Sequence, residues 1–102
     1  MFVHVGDLKL DVEHRLLYLN GSSSAPLQIN PMEARLLATL MECSGQVVSR
    51  AHLMRTVWQT DYLDDTRTLD VHICWLRRKV EDDPAHPHRI ITHRNQGYQL
   101  RV

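Results

Sequence analysis

Apolar residues recur along this chain with two different periods, and the change between them divides it. From Phe2 to Ile29 they alternate and break over short stretches: Phe2 to Val5, Leu8 to Val12, Arg15 to Leu19 and Leu27 to Ile29. Alternation of this kind is the mark of strands with one face more buried than the other. Asn20-Gly21 supplies residues that tolerate positive φ, and the serines at 22 to 24 extend a loop before Pro26, so a small antiparallel sheet is expected over 1–29.

From residue 30 the period lengthens. Asn30 is placed to cap a helix, Pro31 suits its first position, and Glu33 can reach back to complete a capping box. Leu36, Leu37, Leu40 and Met41 then share one face, and Ser44-Gly45 should end the helix. After the brief segment Gln46-Val47-Val48, Ser49 caps a second helix running to about Trp58, with Leu53, Met54 and Val57 inward. A loop from Gln59 to Asp65 leads to a third helix, Thr66 to Val80. On it Leu69, Ile73, Leu76 and Val80 form an apolar stripe, while Arg67, Val71, Cys74, Trp75 and Arg78 point largely the other way. Arg89 to His93 and Gln99 to Val102 read as two strands joined across Asn95-Gln96-Gly97. The expected class is α+β: a sheet (1–29), a three-helix core (30–80) and a terminal hairpin (89–102), a helix-turn-helix with an added β-ribbon.

The 102 residues suffice for one compact domain, 1–102, and no apolar run approaches the length of a membrane span. Absence of a basic-then-apolar leader at Met1 argues against secretion, and two cysteines without C-x-x-C spacing fit a reducing cytosol, hence a cytoplasmic location. Formal net charge is zero, with 12 basic and 12 acidic residues, which taken alone counts against a nucleic-acid partner. Distribution alters that picture. Residues 1–49 hold three cations and five anions, whereas 84–102 hold Arg89, Arg94 and Arg101 with no carboxylate. Acidic runs at Asp61, Asp64, Asp65 and at Glu81 to Asp83 bracket the third helix and read as helix-end chemistry. The outer face of that helix mixes cations with bare apolar groups, which suits a polyanion with readable edges better than water alone.

The segments PMEARLL (31–37), VVSRAHLMRTVW (47–58), RTLDVHICWLRRKV (67–80) and THRNQGYQL (92–100), in this order, resemble the winged-helix effector domain of OmpR/PhoB-type bacterial response regulators. The resemblance implies a four-stranded antiparallel N-terminal sheet, three helices and a C-terminal hairpin wing. It also implies sequence-specific binding to double-stranded DNA, with two subunits on direct repeats, the third helix in the major groove and the wing near the minor groove. Carried over by position, Arg67, Thr68 and Arg77 would contact phosphates, Trp58 would pack beside the backbone, Val71 would touch base edges and Arg94 would lie on the wing. Cys74, Trp75 and Arg78 complete the expected DNA-facing set, and Arg67 and Arg77 are expected to have no core role. Asp61 and Asp64, in the loop before the third helix, would face RNA polymerase. A receiver domain and a sensor kinase are implied partners of a full-length protein, although this chain contains no receiver domain.

Two departures from the family pattern are specific. Positions 74 and 75, frequently basic in the family, are Cys74 and Trp75 here, and neither reproduces an arginine fork. The usual wing glycine is Asn95, which still tolerates the left-handed conformation. Trp75 is therefore expected either to face the groove or to lie half-buried against the wing, and Cys74 to fill space. Asp70 is expected to pair with a neighbouring arginine, and His72 to be a satisfied, partly buried histidine. His86, His88 and His93 fall short of any structural-zinc spacing, so neither metal nor cofactor is expected. No acid, base and nucleophile set is spaced for catalysis, so no enzyme is expected. The alternative function is a winged-helix protein-interaction module with weakened DNA readout, which would account for zero net charge and Trp75.

Overall fold

The computed structural model describes residues 2–19 and 25–101. The expected Asn20-Gly21 turn and serine loop lie outside the described residues. Strands β1 (Phe2–Val5), β2 (Leu8–Asp11), β3 (Leu16–Leu19) and β4 (Leu27–Gln28) form an antiparallel meander in that order. Leu8 and Leu10 of β2 and Leu17 of β3 are fully buried on its inner face. On the outer face the Lys9 ammonium lies 4.6 Å from the Phe2 ring centre and 5.8 Å from that of Tyr18, so its charge caps an otherwise bare aromatic surface.

Helix α1 (Pro31–Glu42) begins with the expected reciprocal cap: the Glu33 amide donates to the Asn30 side chain at 2.8 Å, and the Asn30 amide to the Glu33 carboxylate at 2.9 Å. It lies at the centre of the molecule, packed on α2 (Arg50–Val57), α3 (Arg67–Val80), β1 and β7 (Gly97–Leu100), so its buried leucines bridge both sheets and both other helices. Ser49 caps α2 by accepting from the His52 amide at 3.0 Å. The core runs without a break from Leu8, Leu10 and Leu17 through α1 to Leu53 and Val57, then to Leu69, Ile73 and Leu76.

The chain's end differs from the sequence expectation in two ways. Val47–Ser49, expected only as a connecting segment, is a strand (β5) that pairs antiparallel with β7, which pairs in turn with β6 (Ile90–His93). The hairpin is thus two strands of a three-stranded sheet, ordered β5-β7-β6, and β5 feeds directly into α2. Secondly, the last strand starts at Gly97, not Gln99, and ends at Leu100. With His93 opposite Gly97, the turn is Arg94-Asn95-Gln96, and Asn95 takes the left-handed conformation at φ 63° that its glycine-like role requires.

Candidate nucleic-acid interface

Helix α3 is the element around which the site is built, because its two faces are physically distinct. Leu69, Ile73, Leu76 and Val80 are buried, which fixes the rotation of the helix and obliges positions 67, 68, 71, 74, 75 and 78 to line the opposite side. All six are exposed, Val71 by 44% and Trp75 by 41%. The stripe is cationic at its ends, Arg67 and Arg78, and apolar at its centre.

A buried-edge polar network sets the position of the helix N-terminus. Arg50, the first residue of α2, donates to both Asp70 carboxylate oxygens at 2.7 and 3.0 Å and to the Thr66 hydroxyl at 2.6 Å. The Tyr98 hydroxyl of β7 donates to the same carboxylate at 2.6 Å. The network thus ties α2, α3 and the hairpin at one point. Hydrogen bonds from Arg50 hold the Asp70 carboxyl below its ordinary range, against desolvation. Burial, then the neighbouring carboxylate, pushes the Tyr98 phenol up. The arginine that Asp70 was expected to pair with is Arg50, twenty residues upstream in sequence.

The cations do not all stand free. Arg67 folds back on Asp65 at 2.6 and 3.0 Å, and its hydrogen bonds hold the Asp65 carboxyl down to about 2. Both groups are solvated, so this is a weak pair that an anion can displace. Arg77 corrects the expectation that it has no core role: it donates to the Ile90 carbonyl at 2.8 Å and to the Thr92 hydroxyl at 2.7 Å, and lies over the Tyr98 ring at 5.7 Å. It anchors the hairpin to α3. Lys79 is similarly committed, at 2.6 Å from buried Glu33. The side chains of Arg78, on the open stripe, and Arg94, at the hairpin turn, have no hydrogen bond or ion pair among the described residues.

Trp58, the C-terminal cap of α2, packs edge-on to His72 at 5.0 Å, and His72 contacts Trp75 at 4.8 Å. The His72 Nδ1–H donates to the Thr68 carbonyl at 2.7 Å, so this histidine is satisfied as expected. Trp75 accordingly rests on the α2 side of the helix, and its ring contact is not the wing. Cys43 and Cys74 are both free thiols. His86 bonds Asp83 at 2.9 Å and His93 bonds Gln99 at 2.7 Å, each committed separately. In the preceding loop Asp61 accepts from Arg55 at 3.0 Å, Leu63 packs on the core, and Tyr62 and Asp64 face solvent.

Residues 24–100 match the family described as transcriptional regulatory protein, C terminal. The chain belongs to that family, the OmpR/PhoB-type effector domains. It is 42% identical over 98 residues to the sensory transduction protein RegX3 of Mycolicibacterium smegmatis, covering 96% of this chain and 42% of RegX3, so it spans less than half of that relative. The DNA-binding domain of CpxR from E. coli superposes with a TM-score of 0.81 at 30% identity, covering 99% of this chain and 96% of CpxR's. The DNA-binding domain of Klebsiella pneumoniae RstA, solved in complex with the RstA box, gives 0.83 at 29% identity over 98% of this chain and 96% of that one.

In this effector domain the sequence located α3 and its outward residues, and the structure brings Arg67, Thr68, Val71, Cys74, Trp75 and Arg78 onto one stripe, with Arg94 on the hairpin turn. It does not put Trp58 on that stripe. Four supporting residues escaped sequence reasoning: Arg50 and Tyr98, which hold Asp70; Glu81, which accepts from the main-chain amides of His88, Arg89 and Ile90 at the start of the hairpin; and Gly97, which lies against the Val48 carbonyl of β5. Their partners are long-range or main-chain atoms, and such contacts leave no periodic signal.

Proposed function

We propose that this effector domain binds double-stranded DNA sequence-specifically as the output module of a two-component transcription regulator. In this reading α3 enters a major groove and the hairpin turn with Arg94 lies at the adjacent minor groove. The observation that carries it is the stripe of α3: one helix face exposed to solvent, bounded by cations, on a helix locked to both α2 and the hairpin. That RstA's domain was solved on its DNA box supports the assignment. Arg67 and Arg78 contact phosphates, Arg67 exchanging Asp65 for the stronger anion, with Thr68 beside them. Arg77 orients the wing and reaches phosphate only with its remaining donor capacity. Two copies on direct repeats, a receiver domain and sensor kinase in the full-length protein, and a cytoplasmic location follow from the same reading, which includes no catalytic role.

Replacing Arg67 and Arg78 with alanine should weaken binding to specific and random duplexes alike and lower the salt slope by about one ion each, with no change in melting temperature. Arg77→Ala should lower both affinity and melting temperature, and Arg94→Ala should cost most on A·T-rich flanks. Salt slopes unchanged in the Arg67→Ala, Arg78→Ala double variant would overturn the assignment and favour a protein-interaction module.

The loop at 59–65 is proposed to meet RNA polymerase, with Asp61, Asp64 and exposed Tyr62 offered to it, since its carboxylates would repel phosphate. Asp64→Ala should reduce transcription activation in a reconstituted assay while leaving DNA affinity intact or slightly raised. Parallel losses of both would refute this role.

A further inference from the structure

The centre of the α3 stripe is Val71, Cys74 and Trp75, three side chains that together offer a base edge one indole N–H and one weak thiol donor. Of the cations beside them, Arg77 is turned to the Ile90 carbonyl, Lys79 to Glu33 and Arg67 to Asp65, which among the described residues leaves Arg78 free at the C-terminal end of the stripe. Trp75 is not loose either. Its ring is braced by His72, which is itself pinned to the Thr68 carbonyl at 2.7 Å and flanked by Trp58. The helix therefore presents a firm apolar patch where direct readout takes place.

Only one apolar group projects from base edges into a major groove, the C5-methyl of thymine; guanine shows two acceptors, and adenine and cytosine each show an amine. Covering those polar groups with valine, thiol and indole would strip them of water without replacing their hydrogen bonds, whereas covering a methyl removes apolar surface from water. Resting on the DNA-binding reading, we propose that this domain reads its site chiefly through thymine methyl groups, with Trp75 as the specificity-determining side chain beside Val71 and Cys74. Sites contacted by the centre of α3 are then rich in A·T pairs, and guanine contact is left to the helix ends.

The test is to select bound duplexes with the purified domain, then replace each thymine of the best site, one at a time, by deoxyuridine, which removes the methyl and keeps every hydrogen-bonding group. Affinity should fall about four-fold for each methyl covered. In Trp75→Ala, with its melting temperature compared with the parent's, thymine and deoxyuridine should become equivalent at the position Trp75 covers. A bound site indifferent to deoxyuridine throughout would overturn this inference and leave DNA binding intact. A deoxyuridine effect that persists unchanged in Trp75→Ala at every position would remove Trp75 from the readout. If no duplex is bound in preference to random DNA, the DNA-binding reading fails and takes this one with it.

Discussion

Gly97→Ala should disrupt the hairpin more severely than any surface substitution. A Cβ at this position would be driven into the Val48 carbonyl oxygen and would stand 2.8 Å from the Val48 carbonyl carbon and 3.0 Å from the Ser49 Cα. These are main-chain atoms of the strand paired across from it, so no rotamer change relieves the clash, and β5 must separate from β7. The loss should reach or exceed the ~3 kcal/mol at the upper end of overpacking costs. For a domain of this size that lowers the melting temperature by about 15 °C or more. Because Ser49 caps α2, the strain should also reach the start of that helix. A melting temperature within a few degrees of the parent would show that the β5–β7 contact is looser than described.

Glu81→Ala should have the next largest effect. This buried carboxylate accepts from three successive main-chain amides, His88 at 2.8 Å, Arg89 at 3.0 Å and Ile90 at 2.8 Å, just where the chain turns from α3 into the hairpin. Alanine leaves those N–H groups without an acceptor, and water can replace it only at the part-buried amides of His88 and Arg89, not at buried Ile90. A cost of ~2 to 4 kcal/mol is expected, on the usual penalty for a buried unsatisfied donor. Glu81→Gln retains one acceptor oxygen and should recover part of it. Denaturant titration of the two variants checks this; equal stabilities for alanine and parent would mean that solvent already serves those amides.

These two residues also show where sequence reasoning ends. Helices, caps and strands were legible because each rests on spacing within a few residues: Asn30 with Glu33, Leu69 with Ile73 and Leu76. Strand β5 was not, since three residues are too few to show alternation and its pairing partner lies fifty residues on. Gly97 looked like a turn glycine. Its φ is not positive, and the reason for glycine is that the Val48 carbonyl occupies the space a Cβ would need, a fact about space between distant segments. Glu81 looked like one of three acidic residues ending a helix, and its three amide partners come from main chain that any sequence would supply.

The outward stripe of α3 was legible in full because burial of the opposite stripe dictates it, and helix geometry leaves no freedom once Leu69, Ile73 and Leu76 are inside. Which cations on and around it are available was not legible. Arg77 and Arg78 are adjacent in sequence, yet one is bonded to the hairpin and the other faces solvent.

The central claim is tested most directly by titrating the purified domain with a duplex selected from genomic fragments and with a scrambled duplex of the same composition, over a range of salt. The account predicts that the selected duplex binds about a thousand-fold or more tighter, and that log affinity falls linearly with log salt on both. Equal affinity for the two duplexes, with a slope near zero, would contradict it.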